Sequence, residues 1–486
     1  MEKQSKGHAI MISLPYQGHI NPFTSLALKL AAKGFTITFA HLESIHHKLS
    51  KAHHSTSNGE SVDFFSEARE SGLDIRYTTI SDGLPLEFDR VLHFVEYSEI
   101  ILRDFPSCVD RFVGKMIQAE PFRTFLVTDT IYAWPATIAD KYNIINVSFW
   151  TEPALVFSLV YHWDLLIERG HSPCHDKNEE INYIPGVKSI NTKDFMPILK
   201  ELDSSDIIYK IVSQAFQEAK KADFVLHNTV EELESDTLTA LNKYHPNYAV
   251  GPINFSKNLA TSTVKKSLWS ETDCTHWLES MSTGSVLYVS FGSYVNTSKK
   301  IIEEIAYGLL LSGVSFIWVL RDGILDSGDA NVLPLGFENE IKGKGLIVSW
   351  CNQIKVLSSP AVGGFLTHNG WNSTVESMWY GVPMICYPIA FDQFPNRKLV
   401  VDDWKIGISL CDGISVDRFE VAEKIKSLMS EGSVSKGLRM EAVKVKVAIQ
   451  KALEVDGSSE RDFDRFVEDL EAKIHDKATK CRHRIC

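Results

Sequence analysis

The chain twice repeats a pattern in which a short apolar run is followed by an amphipathic segment and a second apolar run. The first copy begins with HAIMISLP (8–15), continues with apolar residues at helical spacing between Phe23 and Ala31, and returns as FTITFA (35–40). A strand that is buried on both faces of a parallel sheet needs such a continuous apolar run, and Gly34 suits the end of the intervening helix. The pattern predicts a βαβ unit.

Apolar runs of the same kind recur along the chain in two groups, which the polar segment 248–274 separates. Strands are predicted at 125–129, 145–150, 224–229, 285–293, 315–321, 346–350, 362–368 and 383–388, with a helix over 301–313. We therefore expect an α/β protein of two Rossmann-like domains, at 1–250 and 276–457, joined by a linker at 251–275. Two such domains leave a cleft between the carboxyl ends of their strands, where ligands bind.

Composition excludes several classes of function. With 486 residues the chain is too long for one core, and its net charge of −12 provides no positive field for nucleic acid. No uninterrupted apolar run reaches the roughly 18 residues that a membrane span requires, and the N-terminal run lacks a signal-peptide cleavage site. The eight cysteines contain no C-x-x-C pair, which is typical of a reduced protein. We expect a cytoplasmic monomer that does not insert into membranes.

The passage 368–393 concentrates polar and aromatic side chains where a predicted strand ends. The strand VGGFLTH is followed by NGWNSTVESMWYG, which reads as a turn entering a helix. Gly370 permits close backbone approach, and the free N–H groups near Asn372 and Ser373 lie at the positive end of the helix dipole, where a phosphate binds well. The alternative is purely structural, because Ser373 and Glu376 also spell the capping box S-x-x-E.

A histidine follows the first predicted strand, in PYQGHINP. The pattern predicts Asn21 as a helix N-cap with Pro22 in the first turn, which would put His19 just before the helix. A lone histidine is usually structural, but a neutral histidine at a strand end can also act as a general base. Asp129 ends the strand FLVTD, where an aspartate can either orient a base or cap a helix.

Together these motifs resemble those of the plant family 1 UDP-sugar glycosyltransferases. From WCNQ (350–353) to FDQ (391–393) the chain is in register with that family's signature box, including the tryptophan, the histidine, GWNS, the glutamate and the final Asp-Gln pair. The segments QGHINP, SDGLP, HNTVEELE, VGPI and YVSFGS resemble other family segments. One departure is WCNQ itself, where the family more often has Ala-Pro or Cys-Asp between the Trp and the Gln.

The resemblance implies the GT-B arrangement, in which the N-terminal domain binds the acceptor and the C-terminal domain binds a UDP-sugar. The resemblance implies that Trp350 stacks on uracil with Cys351 and Gln353 nearby, and that Glu376 binds the ribose. The residues implied to bind the diphosphate are His368, Asn372, Ser373 and Ser293. Those implied to contact the sugar or a phosphate are Trp371, Asp392, Gln393 and Thr151. The terminal glutamine of the box favours glucose over galactose. The final helix, within 458–486, is expected to cross back onto the first domain.

The resemblance also implies the reaction. His19 would be the general base and Asp129 its partner, in an inverting transfer of glucose from UDP-glucose to a hydroxyl of a small lipophilic acceptor. The product would be a β-glucoside of a terpenoid, flavonoid or other phenolic. We expect the acceptor pocket to include segments near 78–100 and 170–205, with candidate residues Tyr16, Leu84, Phe88, Phe94, Tyr183 and Phe195.

Neither a cofactor nor a metal is expected. His171 and Cys174 lack a second pair of ligands, and the D-x-D formed by Asp462 and Asp464 lies on the charged, solvated face of an amphipathic helix. Three alternatives stay open: a catalytically silent UDP-sugar-binding protein, an enzyme that uses another UDP-sugar, and one that forms an N-, S- or C-glycosidic bond. A dinucleotide-dependent oxidoreductase would carry a G-x-G-x-x-G after a strand, and the sequence has none.

Overall fold

The computed structural model describes residues 5–53, 64–118, 123–174, 178–201, 203, 205–256, 267–294, 296–321, 323–325, 332–411, 413 and 415–485. These residues form two α/β domains, each built on its own parallel sheet. Within the described ranges no helix is both long and apolar enough to cross a membrane.

The first domain is built on a sheet of seven parallel strands. The strands of this half of the chain are β1 (His8–Ile12), β2 (Thr36–Leu42), β3 (Ile75–Ile80), β4 (Thr124–Asp129), β5 (Ile145–Trp150), β6 (Glu180–Ile181), β7 (Ile190–Asn191), β8 (Phe224–His227) and β9 (Asn247–Ala249). The sheet order is β3-β2-β1-β4-β5-β8-β9, while β6 and β7 pair separately as a short antiparallel ladder. All residues of β1, β4 and β5 are buried, which explains their continuous apolar sequences.

Helices and short helical turns connect these strands. The α-helices are α1 (Gln17–Ala32), α2 (Glu43–His53), α3 (Ser66–Glu70), α4 (Phe94–Arg103), α5 (Phe105–Ile117), α6 (Pro135–Tyr142), α7 (Ala154–Tyr161), α8 (Trp163–Glu168), α9 (Pro197–Lys200), α10 (Ile207–Ala219) and α11 (Glu231–Leu241). Two 3₁₀ turns lie at Thr192–Asp194 and Ile253–Phe255.

The second domain repeats this architecture with six parallel strands. Its strands are β10 (Val286–Ser290), β11 (Ser315–Val319), β12 (Gly345–Val348), β13 (Val362–Thr367), β14 (Met384–Cys386) and β15 (Gly407–Ser409), in the order β12-β11-β10-β13-β14-β15. Its helices are α12 (Thr275–Glu279), α13 (Lys299–Ser312), α14 (Phe337–Glu340), α15 (Gln353–Ser358), α16 (Trp371–Tyr380), α17 (Gln393–Lys398), α18 (Arg418–Met429) and α19 (Ser433–Ala452), with a π-helical turn at Leu399–Asp403.

Both sheets change the direction of their strand order beside the first strand, between β1 and β4 and between β10 and β13. Ligands of doubly wound α/β proteins bind at the carboxyl ends of the strands at such a switch point. His19 follows β1, Asp129 ends β4, Ser293 follows β10 and His368 follows β13. The topology therefore places these four predicted site residues at the carboxyl ends of neighbouring strands, two in each sheet.

The predicted entry into the first helix is wrong. Helix α1 begins at Gln17 with Tyr16 as its N-cap, so His19 lies inside the first turn and not ahead of it. The carbonyl of Tyr16 already accepts hydrogen bonds from the backbone N–H groups of His19 and Ile20, at 2.9 Å each. Asn21 does not cap the helix, because its side-chain oxygen accepts a 2.6 Å hydrogen bond from Gln17 Nε2.

A final helix, α20 (Ser458–Ile485), packs on the first domain. Phe466 is fully buried there, with its ring centroid 5.7 Å from that of Phe224 and 5.5 Å from that of Tyr248. The D-x-D motif is engaged in the same contact and is not simply solvated. Asp462 Oδ2 accepts a 3.0 Å hydrogen bond from the backbone N–H of Ala249, and Asp464 forms an ion pair with Lys33.

We expect the substitution Phe466→Ala to destabilise the first domain, because it removes a fully buried ring from that core. The free energy of unfolding should fall by about 3–5 kcal/mol, as for other buried Phe→Ala changes. Denaturant unfolding followed by tryptophan fluorescence measures this loss. The matched control is Glu468→Ala on the exposed face of α20, which should change stability by no more than about 0.5 kcal/mol. Equal effects of the two substitutions would contradict the packing of α20.

Candidate active site

His19 and Asp129 form a hydrogen-bonded pair at the switch point of the first sheet. His19 Nδ1 lies 2.6 Å from Asp129 Oδ2 and 3.1 Å from Thr151 Oγ1. A carboxylate only accepts hydrogen bonds, so the ring donates its Nδ1 proton to Asp129 and keeps Nε2 as the basic nitrogen. Asp129 is 1% exposed, and its other oxygen accepts a 3.1 Å hydrogen bond from the backbone N–H of Ile131. This geometry orients a general base.

The surroundings of His19 act on its pKa in opposite directions. Burial lowers the pKa, whereas the charge and the hydrogen bond of Asp129 raise it, with a further increase from Asp392. The net result is a pKa above the ordinary value for histidine. Such a ring takes up a proton readily, because the neighbouring carboxylate stabilises the imidazolium that forms.

The two domains meet beside this histidine. Pro22 lies inside α1 and has no N–H group, so the helix leaves the carbonyl of Gly18 without its usual donor. Asn372 Nδ2, from the first turn of α16 in the second domain, donates to that carbonyl at 2.6 Å. The side chain predicted to bind diphosphate therefore also joins the donor helix to the residue that precedes the base.

Helix α16 is not capped by its S-x-x-E motif. Its N-cap is Gly370, and no side chain caps it. Gln353 Nε2 instead donates to Ser373 Oγ at 3.0 Å and to Glu376 Oε2 at 2.7 Å. In the described part of the chain no side chain caps this helix, and the first-turn N–H groups of such a terminus suit an anion. The capping-box alternative is thus wrong, and the structure groups these three predicted residues.

Two glycines hold His368 at the start of this helix. A Cβ at Gly292 would stand 2.5 Å from His368 Nε2, and one at Gly370 would stand 2.6 Å from the same atom. Gly292 also has φ +77°, a conformation that favours glycine. Burial lowers the pKa of His368 to about 4, so the ring is neutral at pH 7. Its Nδ1 is buried without a hydrogen-bond partner among the described residues, and Ser293 follows Gly292 directly.

The predicted uracil platform is stacked on a second tryptophan. The ring of Trp350 lies 4.5 Å from that of Trp269, with an angle of 30° between their planes. The carbonyl of Trp350 accepts a 2.8 Å hydrogen bond from the N–H of Thr272, which fixes the end of the linker against the box. Cys351 is buried, with its sulfur 3.8 Å from the hydroxyl of Tyr288. Sequence reasoning missed Trp269, which lies outside the box in a polar segment.

The residues predicted to bind the sugar lie together, with one correction. The indole N–H of Trp371 donates to the carbonyl of Asn228 in the first domain at 2.8 Å, so this group is not available to a sugar hydroxyl. Only the backbone N–H of Trp371, in the open first turn of α16, stays available. Gln393 Oε1 accepts from the N–H groups of Ile389 and Ala390 at 2.8 and 2.9 Å, which leaves the amide nitrogen as a donor.

Asp392 is buried next to Gln393 in sequence. Its Oδ2 accepts a 2.5 Å hydrogen bond from Asn396, and burial raises the pKa of its carboxyl group to about 6. The proximity of His19 opposes that increase. Asp392 belongs to the second domain and His19 to the first, and the charge of each acts on the pKa of the other.

Aromatic rings from both domains line the cleft beside His19. The ring of Tyr294 lies 4.9 Å from that of Tyr16, 6.1 Å from that of Phe94 and 6.2 Å from that of Phe391. Tyr16 and Ser293 border a cavity of about 450 Å³ that Tyr97, Arg90 and Trp269 also line. The structure thus brings the predicted Tyr16 and Phe94 together with Tyr294 and Phe391, which the sequence analysis did not assign to the acceptor pocket.

The other predicted acceptor residues, Leu84, Phe88 and Phe195, differ in how deeply they are buried. Leu84 and Phe88 are half-buried on the loop that Arg90 holds to Asp82 by hydrogen bonds of 2.7 and 2.9 Å. Phe195 has no exposed surface and packs in the core, so it cannot contact an acceptor in this conformation, and we correct that expectation. Its neighbour Asp194 instead pairs with Arg397 of the second domain.

Tyr183, another residue predicted to line the acceptor pocket, pairs with His171 of the same loop region. The hydroxyl of Tyr183 lies 2.9 Å from His171 Nδ1. Among the residues that the structure describes, no three His, Cys, Asp or Glu side chains gather as metal ligands.

Several known proteins are similar to this chain. The family model described as UDP-glucoronosyl and UDP-glucosyl transferase matches residues 206–431. UDP-glycosyltransferase 86A1 of Arabidopsis thaliana is 51% identical and covers 98% of this chain and 96% of its own length. 7-Deoxyloganetin glucosyltransferase of Gardenia jasminoides is 34% identical, and the match covers 93% of this chain and 95% of the length of that enzyme. Phytolacca americana UGT2, solved with UDP-2fluoro-glucose and pterostilbene, has a TM-score of 0.77 at 25% identity, covering 96% of this chain and 100% of that one.

Two Rossmann-like domains on parallel sheets, together with the similarity to solved plant UDP-glycosyltransferases, define the GT-B class of glycosyltransferases. The relatives make the assignment more specific. The chain belongs to the plant family 1 UDP-glycosyltransferases, and it is an enzyme that depends on a UDP-sugar. The family resemblance and the fold expected from the sequence are both confirmed.

We expect Gly370→Ala to weaken UDP binding by roughly tenfold or more, which corresponds to about 1.4 kcal/mol. The added Cβ would stand 2.6 Å from His368 Nε2 and would displace the ring. Isothermal titration calorimetry with UDP measures the loss. The control is Gly437→Ala on α19, where a Cβ meets nothing within 4 Å and the change should leave UDP affinity intact. If both variants bind UDP like the unmodified protein, the placement of His368 is wrong.

We expect Asp129→Asn to lower the pKa of His19, since burial would then act without the carboxylate that opposes it. The base works only when neutral, so activity rises as pH rises through this pKa. In Asp129→Asn the acidic limb of the kcat/KM profile against pH should therefore move to lower pH. The value of kcat/KM on the plateau at higher pH should fall. Asp110→Asn, which removes a carboxylate paired with Lys141 outside the site, should leave the limb in place. An unmoved limb in Asp129→Asn would refute the pairing.

Proposed function

We propose that this enzyme transfers glucose from UDP-glucose to a hydroxyl group of a small lipophilic molecule, with inversion, to give a β-glucoside. The observation that carries the proposal is the 2.6 Å hydrogen bond between His19 Nδ1 and Asp129 Oδ2 beside the open terminus of α16. A general base and a nucleotide site face one cleft in this arrangement.

The base makes the acceptor nucleophilic. A sugar-acceptor hydroxyl is a poor nucleophile at neutral pH, so His19 Nε2 takes its proton while the oxygen bonds to the anomeric carbon. Asp129 keeps the ring in the required tautomer and stabilises the imidazolium. A single displacement from the face opposite UDP converts the α-linked donor to a β-linked product.

The second domain binds the donor and receives the leaving group. Trp350 stacks on uracil, and Glu376 accepts the ribose hydroxyls. The free N–H groups of α16, with His368, Ser373 and Ser293, stabilise the charge that grows on the diphosphate as UDP leaves. Asp392 and Gln393 contact the sugar, and Thr151 contacts the sugar or the phosphate.

We further propose that no metal or cofactor takes part. Two observations support this: the helix terminus already supplies positive potential for the diphosphate, and the D-x-D carboxylates are engaged elsewhere. Asp462 accepts from Ala249 N at 3.0 Å, and Asp464 pairs with Lys33. Addition of EDTA should therefore leave turnover unchanged.

The acceptor is proposed to be a terpenoid or phenolic. The aromatic rings of Tyr16, Phe94, Tyr294 and Phe391 favour a planar or lipophilic guest. The names of relatives, such as 7-deoxyloganetin glucosyltransferase and linamarin synthase 1 at 32% identity, denote enzymes that act on small molecules.

We expect His19→Ala to reduce turnover with UDP-glucose and a phenolic or terpenoid acceptor by roughly 10²- to 10⁴-fold. UDP affinity should stay within about twofold, because the ring contributes to the base and not to the nucleotide site. Turnover is measured as UDP release together with mass-spectrometric detection of the glucoside. The control is His276→Ala, an exposed histidine on α12.

The same assay separates the alternatives. UDP binding without UDP release, across a panel of phenolic and terpenoid acceptors, would identify a silent sugar-nucleotide-binding protein. A comparable loss of UDP affinity in His19→Ala would contradict the role assigned to this residue.

A further inference from the structure

A cavity of about 450 Å³ lies next to the catalytic base, and one face of helix α2 forms a wall of it. Tyr16 lines this cavity, and the centroid of its ring is 6.2 Å from that of the His19 ring. Helix α2 contributes residues at the spacing of a single helix face. These residues are Ser44, Ile45, Lys48, Lys51 and Ala52. An acceptor whose hydroxyl reaches His19 can therefore extend along this wall.

The described residues that line the cavity include three cations and no carboxylate. This differs from the whole chain, which has 62 acidic and 50 basic residues. The charge of Arg90 is balanced by Asp82, which accepts its hydrogen bonds at 2.7 and 2.9 Å. Lys48 and Lys51, in contrast, form no ion pair or side-chain hydrogen bond with any other described residue. Their two positive charges therefore have no partner in the described wall of the cavity.

The two lysines are also close to other positive charges. They lie three residues apart on one face of α2, where like charges repel. Partial burial, and then the charge of Arg90, lower the pKa of Lys48. Asp89 opposes this decrease without forming an ion pair, and its Oδ1 accepts the backbone N–H groups of Val91 and Leu92 at 3.0 and 2.9 Å. An anion in the cavity would offset the repulsion and stabilise both ammonium groups.

A buried hydroxyl group gives an independent indication that the cavity holds a polar ligand. Tyr97 lines the cavity and is 3% exposed, and its hydroxyl has no hydrogen-bond partner among the described residues. Burial raises the pKa of this phenol well above its usual value, so the group keeps its proton and can donate. Buried polar atoms without a partner are rare in folded proteins. The rings of Tyr16, Tyr294 and Trp269 line the same cavity and provide surface for an apolar skeleton.

We infer that the acceptor is a hydroxylated aromatic or terpenoid acid, whose carboxylate is bound by Lys48 and Lys51 while its hydroxyl reaches His19. The inference rests on the proposed function, since it names the class of acceptor for that reaction. The diphosphate of the donor is a second source of negative charge, because Ser293 also lines the cavity. The lysines are assigned to the acceptor because α2 belongs to the first domain, which is the proposed acceptor-binding domain.

Paired acceptors test this inference. Each pair of a panel consists of a phenolic or terpenoid hydroxy acid and its methyl ester, which keeps the hydroxyl and the skeleton but removes the charge. With UDP-glucose, we expect at least one acid to have a kcat/KM roughly tenfold higher than its ester, mainly through a lower KM. Initial rates of formation of the hydroxyl-linked glucoside, measured by mass spectrometry, give this acid-to-ester ratio.

Variants of the two lysines show whether they cause the preference. Lys48→Gln combined with Lys51→Gln should lower the acid-to-ester ratio roughly tenfold. Lys48→Arg combined with Lys51→Arg should retain the ratio, because both positive charges stay. The control is Lys115→Gln, an exposed lysine of α5 outside the described lining of the cavity, which should leave the ratio unchanged. Calorimetry with UDP measures the donor site of each variant, and circular dichroism reports whether the variant is folded.

The inference is overturned if no acid of the panel is preferred over its ester, or if the Gln variant keeps the acid-to-ester ratio of the unmodified protein. It is also overturned if the folded Gln variant loses UDP affinity as strongly as it loses activity with the acid, because the lysines would then bind the diphosphate. A protein that glucosylates esters and acids alike retains the proposed function and loses only the inference. If the unmodified protein glucosylates neither kind of acceptor, the proposed function fails as well.

Discussion

The hydrogen bond from Asn372 Nδ2 to the carbonyl of Gly18 joins the two halves of the active site. It exists because Pro22, placed inside α1, cannot donate to that carbonyl. A proline within a helix ordinarily leaves an acceptor to water, but here the second domain supplies the donor. Since Gly18 precedes His19 and Asn372 belongs to the first turn of α16, the bond sets how far the base lies from the anion-binding terminus. The reaction depends on that distance.

The site contains two buried histidines that the protein tunes in opposite directions. His19 has a carboxylate on Nδ1, and this partner outweighs burial, so its pKa is raised. His368 has no carboxylate; burial and the charge of Arg321 lower its pKa to about 4. One ring is therefore prepared to gain a proton when charge develops, while the other stays neutral as a packed hydrogen-bonding group against Gly292 and Gly370. Asp129, which has no counterpart beside His368, is the main cause of this difference in pKa, and Asp392 and Arg321 add to it.

The sequence alone predicts an element correctly where that element has a distinctive residue pattern of its own. Continuous apolar runs identify β1, β4 and β10, because strands buried on both faces need them. Such apolar runs do not identify β3, β9 or β15, which are edge strands. In β3 (IRYTTI) only the first and last residues are buried, so the residues between them can be polar. The positions of His19 and Asp129 near the ends of the first and fourth strands follow from the sequence, whereas their catalytic role is implied only by the family resemblance. Contacts between domains do not follow from the sequence, because the donor to Gly18 comes from a residue 354 positions away.

The core of the first domain includes residues that follow the second domain in sequence. Phe463, Phe466 and Leu470 of α20 are fully buried in the core of the first domain, although the whole second domain precedes them in sequence. Without α20 the core of the first domain would lack these side chains. Lys29, buried in α1, likewise has its carboxylate partner in Glu460 at 2.8 Å. Helix α1 also carries His19, so the element that positions the base is completed by the same helix that closes the fold. The contacts of α20 therefore connect the packing of the first domain, including the helix that carries His19, to a segment on the far side of the second domain in sequence.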